Sequence, residues 1–330
     1  MSRENRAKIE MCGEIWQKKM KPVLILSYNI LYGGRGRVNQ LTKMIKSVQP
    51  DVVGLIEAAD SRVVDELADR LEMHYVANPA GEYPQDQRLA VISRLPIVYS
   101  ELHERPGILH EPLLEVGVEE AGRAQFTVFI THLWAAFNQG WAGNHIQQRE
   151  VQEILRIAAT RQGTPHLVIG DFNTLAPGDA FKGSRLLRHM VNLDAQRKQY
   201  RTAMQGHPYL NYVVPPRLRI FNPLLQVIPR NRLLSALFDV AASWYAPRGS
   251  INLLLKAGYV DCFRRMNPGV RGFTCPTDTP AGRIDFIFAS PELAARLTGS
   301  NIITTGEGLP GEQASDHFPI CAEFRETTTS

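Results

Sequence analysis

A chain of 330 residues, 44% hydrophobic and 21% charged, can bury a sizeable core as one large α/β domain or two smaller ones, and this composition excludes a disordered protein. No apolar run approaches the roughly 18 residues of a membrane-crossing helix, so a soluble or peripheral protein is expected. The net charge of +4 is small, and its placement along the chain is uneven.

Residues 1–21 mix charged and polar side chains without the basic-then-apolar plan of a secretory signal. Met20 stands directly before the first strand, which marks 1–21 as an expected extension that the fold can do without. Cys12, Cys262, Cys275 and Cys321 are scattered, with no two at zinc-ligand or redox-pair spacing. They are expected to be free thiols in a reducing compartment, hence the cytoplasm, with a Cys262–Cys275 bridge as the alternative.

Residues 23–30 form a strong strand that carries Asn29 near its end and runs into the turn Gly33-Gly34-Arg35-Gly36. Leu41, Met44, Ile45 and Val48 mark a helix, ended by Gln49-Pro50. A second buried strand, 51–57, finishes on Glu57. Val63, Val64, Leu67, Ala68 and Leu71 mark another amphipathic helix. Residues 89–93 and 97–99 read as strand, turn, strand. Strands at 113–118 and 125–131 flank an expected turn at Glu119-Glu120-Ala121-Gly122, and the second delivers His132. A helix over 147–161 turns Val151, Ile154, Leu155 and Ala158 inward. It leads to the apolar run Leu167-Val168-Ile169, which stops on Gly170 and presents Asp171 and Asn173. In extended chain these two leave on the same side while Phe172 turns inward.

Between Thr174 and Gly258 the texture changes to a long insertion rich in proline and aromatic residues. Residues 195–256 hold Arg197, Lys198, Arg201, Arg217, Arg219, Arg230, Arg232, Arg248 and Lys256 against the single acid Asp239, a local +8 that leaves the remainder at −4. A cationic segment interleaved with aromatic residues fits a polyanion, either a nucleic-acid backbone or the anionic face of a membrane; a basic surface excursion with no partner fits equally well. After it, residues 282–289 form a strand with Ile284, Phe286 and Phe288 on one face and Asp285 among apolar neighbours on the other. A carboxylate in mid-strand costs several kcal/mol unless it is paired, so Asp285 predicts a partner. Asp316 and His317 stand just before the last strand, 320–324.

Gathered from the strand ends, Asn29, Glu57, His132, Asp171 with Asn173, and Asp316 with His317 are carboxylates, amides and imidazoles without thiolates. Hard oxygen donors suit Mg²⁺ or Mn²⁺ better than a closed zinc site, and the two histidines suit contact with phosphoryl oxygens. The inventory points to metal-assisted attack of water on a phosphoester.

In order, Ser-Tyr-Asn-Ile, Leu-Ile-Glu, Thr-His-Leu, Gly-Asp-Phe-Asn, Arg-Ile-Asp-Phe-Ile and Ser-Asp-His resemble the endonuclease/exonuclease/phosphatase superfamily, the deoxyribonuclease I-like proteins, from about Val23 to Phe324 outside the insertion. The resemblance implies a four-layer αββα sandwich in which two packed mixed sheets are flanked by helices. It implies one catalytic domain over 22–326, with the basic segment 195–256 inserted and a tail at 327–330. It further implies that Glu57 binds the divalent metal with Asn29 and Asp316 nearby. Asp171 would deprotonate the water and Asn173 fix its position. His317, held by Asp285, would contact the scissile phosphate, and His132 a phosphoryl or leaving oxygen. Three departures stand out: Glu57 lacks the preceding glutamine of many members, Leu-Ala-Val-Ile-Ser-Arg at 89–94 lacks the frequent Gly-Asn opening, and the insertion replaces a short connection. The expected substrate is a nucleic-acid phosphodiester, with a lipid or soluble phosphate as the alternative and an inactive binding module as the third reading.

Overall fold

The computed structural model describes residues 22–78, 88–120, 124–135, 139–200 and 216–325. The expected extension 1–21, the tail 327–330, and Arg201 with the remainder of 201–215 lie outside the described residues, as do the side chains of Arg197 and Lys198.

In chain order, β1 (Val23–Asn29) is followed by α1 (Val38–Lys46), β2 (Val52–Ile56) and α2 (Ser61–Leu71). Asp60 caps α2 by accepting the Arg62 N–H, and Glu72 closes it in the left-handed conformation. Five strands come next: β3 (His74–Ala77), β4 (Ala90–Ser93), β5 (Ile97–His103), β6 (Leu113–Glu120) and β7 (Ala124–His132). Helix α3 (Gly140–Ala158) and β8 (His166–Asp171) follow. The insertion is helical, with α4 (Gly183–Tyr200), α5 (Asn222–Leu225), α6 (Arg232–Tyr245) and α7 (Gly249–Lys256). The chain then runs through β9 (Val260–Asp261), α8 (Cys262–Met266), β10 (Asp285–Ala289), α9 (Pro291–Ala294) and β11 (Leu297–Ile302). The short pair β12 (Thr305–Gly306) and β13 (Leu309–Pro310) precedes β14 (Ile320–Phe324).

Two six-stranded sheets result, in the orders β11-β14-β1-β2-β4-β3 and β5-β6-β7-β8-β10-β9. Each is mixed: β1 with β2 and β7 with β8 are parallel, while the other named pairs are antiparallel. Strand alternation sorts the side chains. Val23 and Ile25 of β1 meet Val128, Ile130, Leu167, Ile169 and Ile287 of the other sheet in one core. Their alternates Leu24, Leu26 and Tyr28 pack under α1 and α2, and Val168, Phe286 and Phe288 pack under α3 and α7. The outcome is helix, sheet, sheet, helix, the expected four-layer sandwich. Gly54 is what the seam requires in β2, since a Cβ there would stand 2.6 Å from the Ile169 Cδ1.

Several local expectations need correction. Strand β6 continues through Glu120, so Glu119 and Glu120 are ladder residues rather than turn residues, pairing with Gln125 and Ala124. Helix α3 starts seven residues before the expected Gln147, because residues 142–146 are exposed or half-buried apart from Gly143 and so carry no hydrophobic period. Asp285 opens β10 instead of sitting in its middle. Strands β3 and β11 were not expected, since both are partly exposed and lack a clean alternation. Cys262, Cys275 and Cys321 are free, so no Cys262–Cys275 bridge forms. Among the described residues no helix is long and apolar enough to cross a membrane.

A buried ion network fastens the insertion to the strand that carries Asp285. Arg283, fully buried, donates to both oxygens of Asp261 (2.9 and 2.6 Å) and through Nε to Asp179 (2.9 Å), with its guanidinium 4.4 Å over the Phe286 ring. Asp179 also takes Arg264 at 2.8 Å.

Candidate active site

The alternation that builds the core also builds the site. Asn29, His132, Asp171 and Asp285 share strand parity with the seam residues Ile25, Ile130, Ile169 and Ile287, so each continues the inter-sheet face to its rim. Register brings three of them side by side, with His132 opposite Asp171 and Asp285 opposite Asp171 on the other flank. The approach of β7 and β8 depends on Gly170 (φ 145°), where a Cβ would fall 1.8 Å from the Thr131 carbonyl oxygen.

Asp171 is buried at the centre. Its Oδ1 accepts the Asn173 N–H (2.9 Å) and its Oδ2 the Asn29 amide (3.1 Å), while the Nε2 atoms of His132 and His317 each stand 3.7 Å from Oδ2. Burial pushes its pKa up to about 6; Asp285 adds to the rise, and the two imidazoles oppose it.

His317 is fixed from below. Its Nδ1 donates to Asp285 Oδ2 (2.9 Å) and Oδ1 (3.1 Å), which leaves Nε2 facing Asp171. Its loop is tied to β1 by the Ser315 hydroxyl, which donates to the Asn29 carbonyl at 2.7 Å. Burial disfavours the imidazolium, yet Asp285, Cys275, Asp171 and Asp316 together hold its pKa well above the usual imidazole value. The partner that Asp285 required is therefore His317. Asp285→Asn is expected to lower the His317 pKa, read from its ring-proton shifts against pH by NMR; an unchanged titration would show that other groups set it.

His132 has the same architecture with a partner the sequence reading missed. Its Nδ1 stands 2.9 Å from Glu111 Oε2, and although burial disfavours the cation, Glu111, Asp171 and Glu57 raise its pKa to about 10. Behind it Glu150, pushed up to about 7 by burial, accepts the His110 N–H at 3.0 Å. Neither acid carries a strand-end signature: Glu111 lies in a loop and Glu150 on a helix face, so only the fold aligns them with His132.

Glu57 sits at φ 58°, a left-handed conformation that a non-glycine residue holds only under constraint. That turn swings its carboxylate off the strand direction: Oε2 accepts the Tyr32 N–H (2.9 Å) and Oε1 the Asn29 amide (3.0 Å). Asn29 thus bridges Glu57 and Asp171 through its NH₂, with its own oxygen turned onto the Leu31 N–H at 3.0 Å. Asp316, partly exposed, lies within electrostatic reach of Arg37, as Glu57 does. Arg37 donates to the carbonyls of Ala314, Ile30 and Leu31, joining the His317 loop to the end of β1; its position in the first turns after a glycine loop gave no sign of this role.

Asn173 does not leave beside Asp171 as extended chain would have it. Its φ of 47° breaks the alternation, and its amide donates to the Leu133 carbonyl at 2.9 Å. Gln147, also missed, donates to the carbonyls of Trp134 (2.9 Å) and Asn173 (3.0 Å) and so locks the His132 loop to the Asp171 loop.

Two sets of groups around Asp171 can be weighed as a cation site. Ligating atoms of Asp171, Asp285 and His317 lie within 4.8 Å of one another, but an imidazolium already sits between the two carboxylates and has no lone pair to give. Glu57 and Asp171 offer hard carboxylate oxygens that converge on the one Asn29 NH₂, where a cation could satisfy the same oxygens.

The profile of the Endonuclease/Exonuclease/phosphatase family matches residues 26–317. Among solved structures, an AP endonuclease from Archaeoglobus fulgidus is 17% identical with a TM-score of 0.54, over 92% of this chain and 99% of that one. The 3' phosphatase NExo from Neisseria, bound to product DNA hairpin, is 16% identical with a TM-score of 0.58 over the same shares. A humanized TDP2 from D. rerio is 16% identical with a TM-score of 0.55, covering 92% and 98% of the two chains. No curated protein matches the sequence.

Proposed function

The chain belongs to the endonuclease/exonuclease/phosphatase family, whose members are phosphoric ester hydrolases, and from that premise we propose that it hydrolyses a phosphodiester by attack of a water deprotonated at Asp171. The observation that carries the reading is a buried carboxylate, its pKa raised to about 6, held between the Nε2 atoms of two imidazoles. Above that pH the carboxylate takes a proton from water as the new O–P bond forms. The His317 Nε2–H, oriented through Asp285, donates to a phosphoryl oxygen as charge develops there. The His132 imidazolium, kept charged by Glu111, supplies the proton that the leaving oxygen needs as its bond to phosphorus breaks. A divalent cation held by Glu57 and Asp316, Mg²⁺ or Mn²⁺ by donor chemistry, would neutralise the phosphoryl oxygens. Residues 22–326 are taken as one catalytic domain with the basic arm inserted, and the three free thiols among the described residues suit a reducing compartment such as the cytoplasm.

The substrate follows from the arm. Its exposed arginines favour nucleic acid, as does the DNA bound to the Neisseria neighbour. Its outward leucine, valine and tryptophan side chains favour a phosphodiester in a lipid headgroup, because a sugar–phosphate backbone offers them nothing to be buried against. We therefore rank the lipid phosphodiester first and nucleic acid second. Parallel assays on phospholipid vesicles, single- and double-stranded DNA, and bis(p-nitrophenyl) phosphate test this. Turnover of DNA alone would reverse the order, and turnover of none would remove the hydrolytic reading. In the same assays Glu57→Gln is expected to raise the Mg²⁺ concentration for half-maximal rate by about 10- to 100-fold; an unchanged requirement would take Glu57 out of the metal site.

A further inference from the structure

The described part of the insertion buries one side of a helix and leaves the other apolar and uncovered. On α6, Phe238 and Ala242 face α4, where Phe238 joins Leu187 and Met190 in a small core and Ala242 closes over Gly183. On the opposite side Leu233 (69% exposed), Leu237 (61%), Val240 (72%) and Trp244 (94%) follow spacings of four, three and four, which is a single helical stripe turned to solvent. The preceding turns add Ile220, Phe221, Leu224 and Val227, all exposed. Scattered surface apolar residues need no explanation, but an unbroken stripe ending in a fully exposed tryptophan does.

The charges around this stripe point to its occupant. Arg217, Arg219, Arg230 and Arg232 are exposed at one end of it. From 216 to 256 the single acid is Asp239, which is turned inward, accepting the Ser184 N–H (2.9 Å) and pairing with Lys182 (3.1 Å). An apolar face flanked by cations, carrying no acid and bounded by Trp244 and Tyr245, has the chemistry of a helix that lies in the interface of an anionic bilayer. A second copy of this chain would set the arginines against each other, and nucleic acid would leave the aliphatic stripe wet. We propose that α6 and the turns before it seat the protein on an anionic lipid surface, apolar stripe inserted and arginines among the headgroups.

The stripe also lies beside the catalytic rim along the chain. Three residues after Trp244, the Pro247 carbonyl accepts the Thr174 hydroxyl (2.8 Å) and the Leu175 N–H (3.2 Å), directly following Asp171 and Asn173. Arg248 fixes the junction by donating to the carbonyls of Ser243 (2.6 Å) and Ala246 (3.0 Å). Seating α6 therefore anchors the chain through the segment that follows Asp171 and Asn173, which rests on the lipid reading above, although binding is measured without turnover.

The experiment is flotation of the whole protein with phosphatidylcholine vesicles, pure or mixed with phosphatidylserine, comparing wild type with Leu237→Glu/Trp244→Glu. Wild type is expected to float with the mixed vesicles and the variant to bind them at least about tenfold more weakly. Hydrolysis of bis(p-nitrophenyl) phosphate with Mg²⁺ in the same samples reports on fold and chemistry separately: loss of that activity in both proteins removes the hydrolytic reading and leaves docking standing. Equal binding by variant and wild type, equal binding to neutral and mixed vesicles, or no binding by wild type overturns the proposal. So does a dimer on gel filtration that the variant abolishes, or DNA binding that the variant loses in place of vesicle binding.

Discussion

Replacing Asp171 by asparagine is expected to reduce turnover of a soluble phosphodiester by about 10²- to 10⁴-fold, the range that a positioned general base supplies. Asparagine keeps the volume and the acceptor for the Asn173 N–H, but it cannot take a proton from water. The fall should appear in kcat with little change in KM, because a group acting on water gives little to ground-state binding. Stability separates this from damage to the fold. The Asp171 pKa is raised from 3.8 to about 6 by burial, so the contribution of this group to stability is full below its unfolded value and lost as pH rises through about 6. Without metal at alkaline pH, Asp171→Asn should therefore melt no lower than wild type. A variant that melts lower there, or that keeps its turnover, would refute the assignment.

Replacing Arg283 by methionine should produce the largest loss of stability. The side chain is fully buried and lies between Asp179 and Asp261, so its removal strands the Asp261 carboxylate in the interior and leaves Asp179 with Arg264 alone. Breaking a buried pair by deleting one partner costs about 3–5 kcal/mol, most of it from the charge left behind. Methionine preserves much of the packing over Phe286, so the charge term should dominate. Because Arg283 stands two residues before Asp285, the tether of His317 should loosen as well, lowering kcat in the folded fraction. Urea denaturation with parallel kinetics tests both; a loss below about 1 kcal/mol, the ceiling for exposed pairs, would mean that water or rearrangement already compensates the network.

The apolar runs of Val23–Asn29 and His166–Asp171, the amphipathic helices around Leu41 and Val63, and the polar residues at the strand ends were legible locally. They rest on side-chain direction within a few residues, which sequence records directly. The inner parity of Asn29, His132, Asp171 and Asp285 was implicit in the same alternation, and the cost of a carboxylate beside apolar neighbours correctly demanded a partner for Asp285. The identity of that partner required the register of β8 against β10 and the loop ahead of β14.

Other features depended on contacts between distant segments. Glu111 behind His132, Gln147 between two loops and Arg37 across the site are polar residues whose roles exist only once the sheets have packed. The left-handed turns at Glu57 and Asn173 overrode the alternation that would have aimed those side chains elsewhere. The arm shows the division most plainly. Its charge and aromatic content were written in the chain, so that a polyanionic partner could be expected from composition alone. Which face of α6 is buried against α4 and which is left bare was decided by tertiary packing, because apolar residues on two sides of a helix leave its phase open until a neighbour covers one of them.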